Sequence, residues 1–254
     1  MARFGVKEVC DVTFYDMNDL PILYLDTLKL TNLTNEAERT YVRGGRSNSV
    51  LMAFDYNRTA TFEISDALLN PKTVSLQSGV ELSTTTQNIH KREVLTAQTG
   101  AGGTGVVLVL SETPTDTVRI YASPNGYEHE GVAQTVEPAS VVVDTNGDST
   151  VTPTGAVVGD KYVVYYLFAS GDNTEMMTIR SDAFSGTYKI VGDTVVTNYE
   201  TKEIESFQII IHSARINSAF EITMEAEGDP SVFDMSIDVM KPEGHSRMIE
   251  MIKY

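Results

Sequence analysis

The chain has 254 residues, 41% hydrophobic and 21% charged, with a formal net charge of −16. A chain of this size buries most of its surface on folding without disulfides or metals, and its single cysteine, Cys10, excludes an intramolecular bridge. The acidic balance argues against non-specific affinity for nucleic acid or anionic membranes, though not against DNA that slides past without sticking. No run approaches the roughly 18 apolar residues of a membrane span. The N-terminal stretch MARFGVKEVCDVTFYD has no apolar signal core, which points to synthesis and assembly in a cytoplasm.

Residues 50–64 carry the clearest local pattern. Met52, Phe54, Tyr56, Ala60, Phe62 and Ile64 fall on one parity, and Asp55, Asn57, Thr59, Thr61 and Glu63 on the other. Alternation of this length predicts one long strand with a buried and a polar face. Arg58 breaks the apolar parity, which suits a side chain whose stem lies on apolar surface and whose head reaches an edge or a subunit contact. Asn70-Pro71 starts a short helix and Gly79 stops it. Residues 83–105, rich in Thr, Ser and Gly, read as a loop or linker. Their TGAGGTG run lacks the spacing and the Lys-Ser/Thr of a phosphate-binding loop.

Short β runs follow at 106–110, 117–122, 140–144, 148–153 and 161–169, separated by turn residues, as in a sandwich or barrel-like module. Asn146-Gly147 predicts a type I′ hairpin turn, and Asp144–Asp148 lacks the length and closing Glu of a calcium loop. Residues 187–199 read as a hairpin around Gly192-Asp193. Residues 207–228 read as one long strand, or two joined by a bulge near His212–Ser213. In 231–240, Phe233, Met235, Ile237 and Val239 alternate with Asp234, Ser236 and Asp238, giving a final strand joined to the previous one by a turn at Gly228-Asp229-Pro230.

The four histidines, His90, His129, His212 and His245, are scattered outside any zinc-binding pattern. No nucleophile elbow, Cys/His pairing or glycosidase-like carboxylate pair is present. The expectation is a non-enzymatic protein with no catalytic residues, metal or cofactor.

Two segments, GGRSNSVLMAFDYNRTATFEISDALLNPKTVSLQSG (44–79) and FEITMEAEGDPSVFDMSIDVMKPEGHSRMIEMIKY (220–254), resemble tail tube proteins of tailed bacteriophages. The middle segment VVGDKYVVYYLFASGD (157–172) is similar to strands of phage virion proteins. The resemblance implies a mainly β fold: an antiparallel β-sandwich or barrel of the tail-tube type with one short helix and long loops. Its core would span 1–87 and 171–254, with 88–170 as inserted hairpins or a small sandwich. It implies a subunit of the virion tail that partners with itself, as hexameric rings stacked into a tube, and with other tail proteins. Double-stranded DNA would be met only in passing, without sequence-specific binding, and no membrane is involved. Asp55, Glu63, Glu221, Asp234 and Asp238 are candidate lumen-lining acids, and Glu225 and Glu227 extend the same polar pattern. Arg58 and Arg215 are candidate inter-subunit contacts. The Gly/Thr-rich stretch 96–105 would be an arm that orders on a neighbour. Alternatives are another phage structural protein (capsid decoration, head-completion or baseplate component) or a β-sandwich binding module, for example for carbohydrate. Lack of Trp counts against the last, and Tyr121 and Tyr127 would be its best platforms.

Overall fold

A computed structural model describes residues 3–103, 105–224, 226–227 and 232–254. The turn expected at Gly228-Asp229-Pro230 and the side chain of Glu225 lie outside them. The chain forms two compact units, residues 1–82 with 177–254, and residues 83–176.

The strands in chain order are β1 (Phe4–Val6), β2 (Asp11–Tyr15), β3 (Pro21–Leu25), β4 (Leu28–Gly44) and β5 (Ser49–Asp66), then helix α1 (Pro71–Ser78). The second unit holds β6 (Ser83–Thr84), β7 (Asn88–Thr96), β8 (Gln98–Thr99), β9 (Val106–Leu110), β10 (Val118–Ala122), β11 (Glu130–Val136), β12 (Val142–Val143), β13 (Ser149–Val151), β14 (Lys161–Ala169) and β15 (Glu175–Met176). The first unit resumes with β16 (Thr187–Asn198), β17 (Ile204–Ile216), β18 (Phe233–Val239) and β19 (Ile249–Lys253).

The first unit is one antiparallel sheet in the order β3-β2-β16-β17-β18-β5-β4, with β1 beside β16 and β19 beside β17. It stays open, and the described residues form no closed barrel. Its core follows the alternation of β18, where Phe233, Met235, Ile237 and Val239 are buried while Asp234 and Asp238 are exposed. Val12, Phe14, Phe62, Ile64, Ile190 and Ile211 complete that core, and Val74 of α1 packs against it. Helix α1 begins as its sequence predicts. Asn70 Oδ1 accepts from the Lys72 amide at 2.9 Å, and Gly79 at φ 72° ends the helix. A side chain at Gly79 would collide with the Phe184 carbonyl, so the left-handed turn and the close approach both require glycine there.

Five expectations need correction. The alternation of β5 does not run unbroken. Glu36 faces Thr59 and Glu38 faces Tyr56, so Asn57 and Arg58 together oppose Ala37. This β-bulge sits on Asn57 at φ 48°, a conformation Asn tolerates, and Asn57 Nδ2 donates to Glu38 Oε1 at 2.7 Å. Apolar residues before the bulge therefore lie on the opposite face from Phe62 and Ile64. The expected hairpin at Gly192-Asp193 is instead the middle of the continuous strand β16. Gly192 is there for space, because a Cβ would come within 3.3 Å of Cys10 Cβ.

The strand expected over 207–228 ends at Ile216. The fully buried Gln77 donates its side-chain amide to the carbonyls of Asn217 (2.8 Å) and Ala219 (3.0 Å), which ties that segment to the helix in place of a strand neighbour. The expected linker 83–105 contains β7, paired over its whole length with β14.

In the second unit, the sheets β11-β10-β14-β7 and β12-β13-β9-β8 share one core of Leu108, Val118, Ile120, Val151, Val164 and Tyr166. The turn before β13 is not type I′, since only Gly147 has positive φ. The Asp144 carboxylate accepts from the amides of Asn146 and Asp148 and organises it instead.

Ile237 is fully buried at the centre of the first core. Ile237→Ala is expected to lower the unfolding free energy by about 2–5 kcal/mol, read by chemical denaturation of the dispersed subunit.

Candidate functional site

The sheet of the first unit buries one face and leaves the other polar. Register places Asp234 beside Ser65, Ser236 beside Glu63, and Asp238 between Thr61 and Arg215. Ser65 Oγ donates to Asp234 Oδ1 at 2.5 Å, and Asn32 Nδ2 donates to Glu63 Oε2 at 3.1 Å. Glu221 reaches this face from the segment that Gln77 anchors. Together with Glu63 and Asp234 it lines an open recess of about 760 Å³ backed by Phe220. The fold thus brings Glu63, Glu221 and Asp234 together, with Asp238 and Arg215 farther along the same face. No group of three or more His, Cys, Asp or Glu among the described residues is arranged to hold a metal ion.

Asp55 lies elsewhere. Counting along β4, the partners Glu63, Thr61, Thr59, Tyr56 and Phe54 share the polar face, whereas Asp55 lies on the other face. There Arg39 grips it with two hydrogen bonds, Nε to Oδ1 at 2.5 Å and Nη2 to Oδ2 at 3.1 Å. The guanidinium holds the Asp55 carboxyl below its ordinary range. Asp55 is thus an ion-paired residue of a projecting ribbon and does not continue the row that contains Glu63. Arg58 lies at the bulge, exposed.

The ribbon itself is the second feature. β18 pairs with β5 only over Ala60–Asp66, so among the described residues the segments Glu36–Gly44 and Ser49–Thr59 have no other strand beside them. Met52, Phe54 and Tyr56 are 55%, 50% and 51% exposed, and the bulge aligns them on the side of Glu63. Val42, directly across from Met52, extends the row. The β4 half was not legible in the sequence, because NEAERTYVRG shows neither a strand nor a helix period.

The chain matches the model of the YomU/Tube protein family over residues 4–251. It belongs to that family. A search of curated proteins finds no match. Membership in a family of tube proteins is consistent with a phage tail tube protein, a structural component of the virion tail, and implies a non-enzymatic role. No helix among the described residues is long and apolar enough to cross a membrane.

One further cluster of this YomU/Tube chain escaped sequence reasoning because its members are far apart in the chain. β19 pairs with the early half of β17 and β18 with the late half, and His212 sits at the junction. His212 Nε2 lies 3.0 Å from Glu250 Oε2, and Arg247 Nη1 donates to Glu250 Oε1 at 2.7 Å. Lys253 Nζ donates to Glu205 Oε2 at 2.5 Å. The His212 hydrogen bond pulls the Glu250 carboxyl below its ordinary value, and Lys253, then Asn198, do the same for Glu205.

Both groups have depressed values in the fold. Their stabilising contribution is therefore full above the ordinary carboxylate range and is lost as pH falls through the lowered values. Amide protection factors over Ile249–Lys253 are expected to fall at pH below about 4, and to fall at higher pH in Glu250→Gln. Hydrogen exchange by mass spectrometry reads both, and a pH-independent protection factor would contradict the anchoring.

Proposed function

We propose that this chain is the self-assembling subunit of a phage tail tube, whose rings close through the β4–β5 ribbon and whose polar sheet face lines a channel for DNA. The observation that carries this reading is the ribbon. A two-stranded ribbon alone is marginal in water, and this one exposes a contiguous row of Val42, Met52, Phe54 and Tyr56. Its natural cover in a tube protein is a second copy of the chain. A head-to-tail contact that closes by rotation gives a ring, and the unpaired sheet edges at β3 and β4 gain neighbours in the same step. Arg58, exposed at the foot of the ribbon, and Arg215, on the sheet, serve the contact between copies. A hexameric ring and docking onto other tail proteins complete the reading.

Glu63, Glu221, Asp234 and Asp238 supply the electrostatics of the channel. A wall on which these four carboxylates outnumber Arg215 repels phosphates, so DNA passes without being trapped, whereas each further cation placed there would add a phosphate contact.

Negative-stain electron microscopy of the purified protein tests the assembly. Hollow rings or tubes are expected for the natural chain. Phe54→Asp is expected to stay dispersed while its unfolding free energy changes by no more than about 0.5 kcal/mol. Tubes formed equally well by Phe54→Asp would remove the ribbon from the contact, and solid particles without a channel would contradict the tube. In a separate assay, tubes carrying Glu63→Lys and Asp234→Lys are expected to retain double-stranded DNA that natural tubes release, with retention falling as salt rises. Equal release by both would place these carboxylates outside the channel.

A further inference from the structure

The second unit carries four Lys and Arg residues, Lys91, Arg92, Arg119 and Lys161, against eleven Asp and Glu, yet its cations are not spread evenly. Tyr162, Val164 and Tyr166 of β14 point into the core, so Lys161, Tyr165 and Leu167 lie on the opposite face. Register adds Arg119 and Arg92 on either side of Tyr165, and His90 beside Leu167. Three of the four Lys and Arg thus share this face with His90. The outward positions of β7, β10 and β14 include no Asp or Glu. Lys91, the remaining cation, points the other way and pairs with Glu93 and Glu112.

The two arginines are not consumed by carboxylates: among the described residues neither has an ion pair. Arg92 Nε donates to the Tyr165 hydroxyl at 3.2 Å and its Nη2 to the Gly126 carbonyl at 3.4 Å, which fixes its direction. Between them lies a recess of about 280 Å³, whose lining includes Arg92, Arg119, His90, Tyr165 and Leu167 and one carboxylate, Asp116. The Asp116 carboxylate already accepts from the Thr117 amide at 2.7 Å. Beside the recess stands a preformed aromatic wall. Tyr121 and His129 stack at 4.4 Å, Tyr165 meets both rings edge-on, and its hydroxyl lies 2.9 Å from His129 Nε2.

We propose that this face binds an anionic glycan, with one acidic sugar or sugar-phosphate unit seated between Arg92 and Arg119 against Tyr165. Guanidinium forks suit carboxylate and phosphate, and the π face of a half-buried tyrosine such as Tyr165, next to Leu167, suits the C–H face of a sugar ring. A recess of this size holds one such unit. Nucleic acid fits less well. His129 already covers the face of Tyr121 that a base would stack on. A few cations on a chain of net charge −16 also offer little to a long run of phosphates. The proposal is independent of ring formation, since its residues lie in the second unit and tube assembly is read separately by microscopy.

Biolayer interferometry of the full chain on immobilised polygalacturonate and phosphomannan, with unsubstituted mannan and single-stranded DNA as comparisons, tests it. At least one acidic polymer is expected to bind at least about tenfold more tightly than mannan. Arg119→Ala, whose side chain holds no other structure together, is expected to weaken that binding about tenfold, as is Arg92→Ala. Arg180→Ala, in the other unit, is expected to leave it unchanged. The pair of polymers distinguishes carboxylate from phosphate recognition. Acidic polymers that bind no better than mannan, or Arg119→Ala binding at natural strength, would overturn the proposal. DNA that binds as tightly as the best glycan would overturn it in favour of a nucleic-acid surface.

Discussion

The molecule is organised by a mismatch of strand lengths. β5 runs for 18 residues and β4 for 17, but β18, the strand that seats β5 in the sheet, is only 7 residues long. Where β18 ends, the hydrophobic layer ends with it, and the remaining ribbon keeps its ladder hydrogen bonds without a core beneath. The fold therefore contains both a finished part and an unfinished part. The finished part has Ile237, Phe62 and Phe14 fully buried and asks nothing of a partner. The unfinished part exposes Phe54, Met52 and Tyr56, which a solitary soluble protein gains nothing by displaying. The bulge at Asn57 decides which way that row faces. One inserted residue turns the apolar side of the ribbon onto the polar side of the sheet.

Much of the finished part was legible in the sequence. β9 and β14 stand where their apolar runs stood, β18 alternates as read, and α1 opens at Asn70 and closes at Gly79. These elements are visible because each satisfies its own local rule. β4 and β7 were not visible, because each meets a core at only a few positions, Leu28 and Leu33 in β4 and Leu95 in β7, too few to show a period among their polar and charged residues. Within β7, Glu93 points inward yet is satisfied by Ser111 and Tyr166, a solution no periodicity reveals. Gly192 looked like a turn because glycine makes turns, but here the chain needs room for Cys10.

The acidic face was partly legible for the same reason. Asp234, Asp238 and Glu63 follow from the alternation of β18 and the late half of β5. Asp55 does not, because a count by parity carried across 50–64 passes silently through the bulge. Glu221 reaches the recess through Gln77, a tertiary hydrogen bond between residues 140 apart, and His212 meets Glu250 across 38 residues. The two arginines of the second unit become one feature only when β10 and β7 are both placed beside β14. The two units therefore present opposite chemistries. The first has a carboxylate face and an apolar ribbon suited to building a tube, and the second has a cationic aromatic face inside an otherwise acidic segment.

The claim that the rest depends on is that a neighbouring copy completes the ribbon. Hydrogen exchange of Glu36–Thr59, compared between dispersed and assembled protein by mass spectrometry, addresses it directly. The account predicts fast exchange along the ribbon in the dispersed subunit and strong protection after assembly, with little change in Ile237–Val239 of β18, which lie between β5 and β17 in the subunit itself. Equal ribbon exchange in the two states would mean that the tube is built without it and would contradict the account.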